Sequence, residues 1–201
     1  KSLIRHLKEN IKVLKSPRII RAFEKIDRAD FVRSDYAFEV YEDYPLPIGH
    51  GQTISQPTTV AFMIELLSPQ EGDKILDVGS GSGWTTALLS EIVGQSGGVY
   101  GLERIPELVD FGRNNLKKYK FKNAEIFQAG EALGLPDKAP FDRILVSAGA
   151  DELPKKLLEQ LKIGGIMIIP IGDSIFKIIK TTDKEIKKEE YKGFVFVPLI
   201  T

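Results

Sequence analysis

The sequence predicts an α/β protein in which a doubly wound, mostly parallel sheet is covered by helices on both faces. Three observations lead to this class: strand-like and helical segments alternate after residue 58, one strand–helix junction is rich in glycine, and the first fifty residues form a separate amphipathic region. Strands separated by helix-length segments form right-handed βαβ units and hence parallel sheets. We therefore expect one domain over residues 1–201, with helices and a loop in 1–57 and an α/β core in 58–201.

Two short amphipathic helices are predicted before the core. The first is indicated by apolar residues that repeat at helical spacing between lysines: Leu3, Ile4, Leu7, Ile11 and Leu14. Ser16 and Pro17 are typical of an N-cap followed by proline in the first turn. The second helix continues through apolar residues at the same spacing: Ile19, Ile20, Phe23 and Ile26.

A segment rich in proline and glycine follows, YEDYPLPIGHGQTISQP over residues 41–57. It lacks the periodicity of a core helix or strand, so we expect an extended and irregular loop. Loops of this length are uncommon in compact domains unless they have a function. This loop is therefore a candidate part of the functional site.

From residue 58 onward, predicted helices and strands alternate regularly. Helices are expected over 58–67, 84–93, 106–119 and around 154–161, and strands over 74–78, 99–103, 124–127, 143–147 and 166–171. Two further strands, 176–181 and 194–199, flank a charged turn at 182–184. They are predicted to form an antiparallel pair at the C-terminal end of the sheet.

The composition argues against several classes of site. Lys plus Arg and Asp plus Glu both number 28, whereas proteins that bind nucleic acid through phosphate contacts normally carry a basic excess. There is no cysteine and there are only two histidines, His6 and His50, so we expect neither a metal site nor a catalytic histidine relay. No apolar run approaches the ~20 residues of a membrane span. We expect a soluble, cytoplasmic monomer that contacts neither membrane nor nucleic acid.

Residues 74–89, KILDVGSGSGWTTALL, contain the most informative motif. An apolar strand runs into Asp77, and Gly79, Gly81 and Gly83 follow at every second position before a helix. Glycines at such a junction allow a sharp turn and let a ligand approach the main chain. A turn that binds nothing would not need three of them. The loop therefore predicts a ligand-binding, Rossmann-like core.

The spacing of these glycines does not fit a ligand that carries phosphate. A dinucleotide fingerprint needs G-x-G-x-x-G and a P-loop needs a lysine after its last glycine, and neither pattern is present. Asp77 would also repel a pyrophosphate. S-adenosylmethionine fits, because it has no phosphate and carries a sulfonium and an ammonium group. Glu103 ends the next strand, 20 residues beyond Gly83, and is expected to bind the ribose hydroxyls.

Together the two motifs resemble those of class I S-adenosylmethionine-dependent methyltransferases. Within that superfamily, the chain is similar to the protein-L-isoaspartate O-methyltransferases in IRAFEKIDRADFV (20–32), DYPLPIGHGQTISQP (43–57), the segment 139–172 that begins APFDRI, and FVPL (196–199). The resemblance covers nearly the whole chain, and GQTISQP and APFDRI are its most specific parts. It implies methyl transfer from S-adenosylmethionine to the α-carboxylate of L-isoaspartyl residues in damaged proteins or peptides, a repair reaction.

The resemblance also implies roles for particular residues. Thr53, Ile54 and Ser55 match a segment beside cofactor and substrate, and Ser55 is the implied catalytic residue. The other implied cofactor contacts are Asp77, Val78, Gly79, Ser80, Gly81, Gly83, Glu103, Arg104, Gly130 and Glu131. Near Gly130 the family has Gly-Asp-Gly, so Glu131 is expected to supply the adenine contact from a shifted position. Asp27 is a second departure, since the family often has proline there.

A carboxylate acceptor is also chemically reasonable without reference to the family. Its pKa lies near ~4, so it is ionised at neutral pH and needs no general base. Ser55 can hydrogen-bond one carboxylate oxygen and leave the other free to attack, or it can serve only as a cap for the helix that begins near Pro57. His50 is expected to be an exposed or loop-packing residue, and Trp84 fits a pocket wall and a core position equally well.

Two other functions remain open from the sequence. The chain could methylate an aspartate of one dedicated peptide, or it could bind S-adenosylmethionine without turnover. Comparing an isoaspartyl with an aspartyl peptide separates the first from repair. A nucleic-acid methyltransferase is disfavoured, because Ser147-Ala148-Gly149-Ala150 stands where that class has an aromatic-flanked motif.

Overall fold

Nine strands and six α-helices form the structure, a computed structural model that describes residues 2–199. The strands are β1 (Leu46–Gly49), β2 (Gln52–Ile54), β3 (Lys74–Val78), β4 (Gly98–Glu103), β5 (Ala124–Gln128), β6 (Phe141–Val146), β7 (Leu161–Ile171), β8 (Ser174–Lys180) and β9 (Ile186–Lys192). The helices are α1 (Ser2–Arg5), α2 (Pro17–Lys25), α3 (Pro57–Leu67), α4 (Trp84–Val93), α5 (Pro106–Lys117) and α6 (Lys155–Glu159).

Seven of the strands form one sheet in the order β5-β4-β3-β6-β7-β8-β9. The strands from β3 to β7 are parallel, whereas β8 and β9 are antiparallel to their neighbours. The predicted fold class is therefore confirmed. The chain extends the sheet from β3 to one side first and then crosses to β6 on the other side. Ligands of open α/β sheets bind outside the carboxyl ends of the strands at such a reversal.

Hydrophobic clusters lie on both faces of this sheet. Ile75 and Leu145 pack in the cluster that includes residues of α2 to α5, whereas Leu76 and Val146 pack in the cluster around Leu157 of α6. Side chains alternate between the two faces along a strand. The same alternation directs Asp77 to the face of Ile75, where α4 lies.

The N-terminal helices differ in part from the prediction. The second helix is present as α2, but the first is only α1 followed by one wider helical turn over His6–Asn10, and Ile11 is exposed. The backbone of Lys12 has φ of 57°, which a right-handed helix does not accommodate, so the helix cannot continue to Leu14. Leu14 is nevertheless buried, as part of the loop that follows. Ser16 occupies the N-cap of α2, but its hydroxyl donates to Glu65 Oε2 (2.6 Å) rather than capping.

Part of the predicted irregular loop forms a two-stranded hairpin. Strands β1 and β2 pair antiparallel, and their residues Leu46, Ile48 and Ile54 are buried. The turn passes through His50 (φ 54°) and Gly51 (φ 71°). Proline and glycine between the buried residues obscure their alternation in the sequence, which explains why no strand was predicted.

The predicted strand 194–199 is wrong. The partner of β8 is β9, IKKEEYK, a charged edge strand without an apolar face, and edge strands of this composition resist pairing with other chains. The segment 194–199 instead runs beside Gly149, whose N–H donates to the Val197 carbonyl and whose carbonyl accepts from the Leu199 N–H, both at 2.8 Å. No helix in the described part of the chain is long and apolar enough to cross a bilayer.

Candidate active site

A cleft of about 410 Å³ opens at the carboxyl ends of β3, β4 and β6, where the chain reverses the growth of the sheet. Its volume lies within the ~300–1,000 Å³ range of small-molecule sites. The hairpin, the β3–α4 loop, the end of β4, the loop after β5 and the C-terminal segment line it, including Gln52, Thr53, Val78, Gly79, Gly81, Glu103, Arg104, Gly130, Glu131 and Val197. Most of the residues implied as cofactor contacts therefore meet in one cleft.

The β3–α4 loop presents its main chain to this cleft. Gly79, Gly81 and Gly83 have φ of 76°, 49° and 83°, a region that glycine enters without strain. A Cβ at Gly81 would lie 3.1 Å from Ile48 Cδ1 of the hairpin, and one at Gly83 would lie 3.1 Å from the Gly112 carbonyl. The glycines thus let the hairpin and α5 approach the loop. Ser80, also implied as a contact, is buried and does not line the cleft.

Asp77 lies beneath the loop and is fully buried. Its Oδ2 accepts hydrogen bonds from the hydroxyls of Thr85 (2.7 Å) and Thr86 (2.6 Å) in α4, whereas Oδ1 has no partner within residues 2–199. Burial raises the pKa of Asp77 to about 6, against the opposing effect of the two hydroxyls. The side chain therefore fastens the start of α4 to β3, and it does not line the cleft.

Glu103 connects the end of β4 with the glycine loop. Its Oε2 accepts from the Gly81 N–H (2.9 Å), and its Oε1 accepts from the N–H groups of Arg104 (2.8 Å) and Ile105 (3.0 Å). The side chain is nearly buried but lines the cleft. These three donors fix the carboxylate, and its remaining lone pairs are available to a ligand.

The outer wall of the cleft is the loop after β5. Gly130, Glu131 and Arg104 line the cleft and are exposed. Further along, Gln160 anchors the loop, because its Oε1 accepts from the Leu135 N–H (2.7 Å) and its Nε2 donates to the Leu133 carbonyl (3.0 Å).

Ser55 lies in a narrow recess between the hairpin and the glycine loop. The recess, about 30 Å³, is lined by Thr53, Ile54 and Ser55, by Gly79 and Gly81 of the glycine loop, and by Trp84 at the start of α4. Thr53, Gly79 and Gly81 also line the main cleft, so the recess adjoins the cleft at these three residues. The structure therefore brings Ser55 next to the glycine loop.

The alternative role of Ser55 as a helix cap is wrong. Asp43 caps α3 instead, because its Oδ1 accepts from the Thr58 N–H (2.8 Å) and its Oδ2 accepts from the Thr58 hydroxyl (2.6 Å). Among residues 2–199, no hydrogen bond engages the Ser55 hydroxyl; only its carbonyl is used, by Arg28. The hydroxyl is therefore free for a ligand.

The match to known proteins decides the family. The model of the protein-L-isoaspartate(D-aspartate) O-methyltransferase family matches residues 1–201. The chain belongs to this family. It is 47% identical to the protein-L-isoaspartate O-methyltransferase of Methanopyrus kandleri, over 98% of this chain and 89% of the relative. It is 46% identical to that of Pyrococcus horikoshii, over 94% and 87%.

The fold agrees with solved structures of the isoaspartyl methyltransferases. A crystal structure from Plasmodium falciparum, described as a protein-L-isoaspartate O-methyltransferase in complex with S-adenosyl-L-homocysteine, superposes with a TM-score of 0.88 at 28% identity, covering 99% of this chain and 97% of the other. A second structure described as a protein-L-isoaspartate O-methyltransferase also gives a TM-score of 0.88 at 28% identity, covering 98% of this chain and 64% of the other.

Sequence reasoning about this methyltransferase missed three contributors to the site. Asp43 caps α3, and Arg28 donates a hydrogen bond to the carbonyl of Ser55. No spacing in the sequence indicates either contact. The third contributor is the C-terminal segment 194–199, part of which lines the cleft. The sequence analysis assigned this segment to the sheet, although the similarity of FVPL to the family was a usable signal. His50 is exposed at the hairpin turn, as expected, and Trp84 is a buried residue that also borders the recess.

Proposed function

We propose that this chain transfers the methyl group of S-adenosylmethionine to the α-carboxylate of L-isoaspartyl residues in damaged proteins and peptides, with Ser55 as the catalytic residue. The observation that carries the proposal is that the recess of Ser55 adjoins the cleft, since Thr53, Gly79 and Gly81 line both. An acceptor at the serine would meet a donor in the cleft. The substrate class follows from the family and from the descriptions of its members.

The residues of the cleft fit S-adenosylmethionine. The bare main chain at Gly79 and Gly81 leaves room for the methionine part, and Glu103 has carboxylate lone pairs for the ribose hydroxyls. A Cβ at Gly130 would meet nothing within 4 Å, so that loop leaves space for the adenine beside Glu131. When bound, the cofactor supplies an electrophilic methyl group on a sulfonium.

The chain's own residues need only orient the acceptor. A carboxylate is ionised at neutral pH, so no proton has to be removed before it attacks. The Ser55 hydroxyl donates to one acceptor oxygen, which leaves the other directed at the cleft. Because Gly81 has no Cβ, Ile48 of the hairpin can lie close to the glycine loop. Rate enhancement then comes mainly from positioning two reactants.

The test is labelled methyl transfer to a synthetic isoaspartyl peptide, with the otherwise identical aspartyl peptide as control. We expect transfer to the isoaspartyl peptide alone, in an ester that hydrolyses in mild base. Transfer to the aspartyl peptide alone would instead indicate a dedicated peptide methyltransferase. Cofactor binding without transfer to either peptide would indicate a protein that lacks turnover.

Ser55→Ala tests the residue at the centre of this proposal. Losing one hydrogen bond to the acceptor should lower kcat by roughly 10- to 100-fold, while the affinity for S-adenosylhomocysteine and the Tm stay close to those of the parent. The exposed Ser34→Ala is the matched control and should have parental activity. A fully active Ser55→Ala enzyme would remove the serine from the mechanism.

We also propose that the enzyme acts as a cytoplasmic monomer. The glycine loop, Glu103 and Ser55 of the same chain lie around the cleft and the recess, so the proposed site needs no residue of a second copy, and a chain without cysteine suits a reducing compartment. Light scattering should give 22.4 kDa, and cell fractionation should find the activity in the cytoplasm. A dimer mass or activity in another fraction would contradict these two expectations.

A further inference from the structure

Arg28 is a buried guanidinium that the proposed reaction does not use. The residue begins the helical turn Arg28–Phe31, and it is 2% exposed. Burial lowers the pKa of Arg28 to about 10, so the group stays charged at neutral pH. Its hydrogen bonds all go to main-chain carbonyls, which is an unusual set of partners for a buried charge.

These carbonyls belong to two segments on either side of the hairpin. Nη1 donates to the carbonyls of Val40 (2.7 Å) and Glu42 (3.4 Å). Nη2 donates to the carbonyls of Tyr44 (3.1 Å) and Ser55 (3.3 Å). One side chain thus joins the segment before the hairpin to the serine after it. The planar fork of arginine suits this task, whereas the ammonium of lysine is a point charge.

The same guanidinium also reaches the start of α4. Its carbon lies 5.5 Å from the centroid of the Trp84 ring, and Trp84 directly follows the glycine loop. The ring is itself fixed, because it is buried and packs edge-to-face on Phe23 with centroids 5.8 Å apart. Arg28 therefore connects Ser55 with the element that carries the glycine loop.

We propose that Arg28 is a positioning residue that holds the main chain of Ser55 at the glycine loop, and this inference rests on the proposed function. Arg28 lines neither the cleft nor the recess, and the separate pocket that it borders lies between the N-terminal helices, Tyr41 and Trp84. Its hydrogen bond to the Ser55 carbonyl is therefore its direct link to the site. Without it, the Ser55 segment loses its link to residues 40–44 and to Trp84. The contacts around Glu103 do not involve Arg28 and should persist.

Arg28→Met and Arg28→Lys test the inference, with Arg143→Met as the matched control. Arg143 also donates to two main-chain carbonyls, those of Leu67 (3.1 Å) and Asp142 (2.9 Å), but at the amino end of β6 away from the cleft. The measurements are kcat and KM for the isoaspartyl peptide, calorimetric affinity for S-adenosylhomocysteine, and Tm.

We expect Arg28→Met to lower kcat/KM for the peptide by roughly 10- to 100-fold, with the affinity for S-adenosylhomocysteine within about threefold of the parent. The kcat/KM of Arg28→Lys should lie between those of Arg28→Met and the parent. Arg143→Met should lower Tm and leave kcat/KM within about twofold. In Arg28→Ala, added methylguanidinium should restore part of the activity, whereas it should leave the activity of the parent unchanged.

A double variant shows whether Arg28 acts through Ser55. If it does, Arg28→Met combined with Ser55→Ala should lose little more activity than the worse single variant. Additive losses, parental activity in Arg28→Met, or an equal loss of S-adenosylhomocysteine affinity would each overturn the positioning role. Should Arg28→Met fail to fold, Arg28→Lys and the methylguanidinium experiment decide in the same way.

The failure of this inference is distinguishable from failure of the proposed function. A parent enzyme that methylates no isoaspartyl peptide would refute the function itself. A parent that methylates the peptide, together with an equally active Arg28→Met variant, would refute only the role of Arg28.

Discussion

Glu103→Gln is the substitution that tests most directly how the acid organises the cleft. The carboxylate accepts three main-chain N–H groups, one from Gly81 on Oε2 and two from Arg104 and Ile105 on Oε1. A glutamine offers one oxygen and one NH₂ group. In either orientation of the amide, at least one N–H faces another donor instead of an acceptor.

The size of the effect follows from these contacts. A hydrogen bond to a charged group contributes about 1.5–3 kcal/mol, so losing the Gly81 contact should lower the free energy of unfolding by an amount of that order. A similar loss at the ribose hydroxyls corresponds to a Kd for S-adenosylhomocysteine that is roughly 10- to 150-fold higher. Displacement of the glycine loop should add to the loss of affinity.

The assay is calorimetric titration with S-adenosylhomocysteine, together with urea unfolding. Glu107→Gln is the matched control, because Glu107 is an exposed residue in the first turn of α5 that does not line the cleft. It should leave the Kd unchanged and alter stability by less than ~1 kcal/mol. A Glu103→Gln protein with parental affinity would refute the assignment of this acid to the cofactor.

Two further predictions concern the glycine loop and the acid beneath it. Gly81→Val should abolish S-adenosylhomocysteine binding in calorimetry, because the new Cβ would lie 3.1 Å from Ile48 Cδ1. Gly164→Val is the control: its φ is 81° and a Cβ there would meet nothing within 4 Å. This variant should carry the backbone strain alone and keep the affinity. Asp77 binds a proton more tightly when folded, so the free energy of unfolding should fall as the pH rises from about 4 to 6. At about 1.4 kcal/mol per pKa unit, the fall is on the order of 3 kcal/mol. Urea unfolding of Asp77→Asn should lack this fall, and an identical pH dependence in both proteins would contradict it.

Several features could be predicted from the sequence because they depend on local patterns. The strand Lys74–Val78 and the helix Trp84–Val93 were predicted with the bounds that the structure has. Buried parallel strands are continuous apolar runs, and the glycine loop between these two elements is recognisable from residue types alone. Glu103 was predictable because the acid follows at a fixed distance along the chain.

Other features were not predictable because their stabilising contacts join residues that are distant in sequence. The strand Ile186–Lys192 has no apolar pattern and exists because it pairs with β8. Asp43 caps a helix that begins at Pro57, and Arg28 binds the carbonyl of Ser55. Such contacts need the backbone of both partners in place, and neither side of the contact leaves a periodic signal.

The sequence by itself therefore determined the fold class, the family, the glycine loop and the residues around which a site was expected. Only the tertiary structure decided how those residues are used. It placed Asp77 under the loop rather than in the cleft, and it left the Ser55 hydroxyl free by giving the helix cap to Asp43. The physical reason is that residue type sets what a side chain can bind, whereas burial and neighbours across the chain set what it does bind.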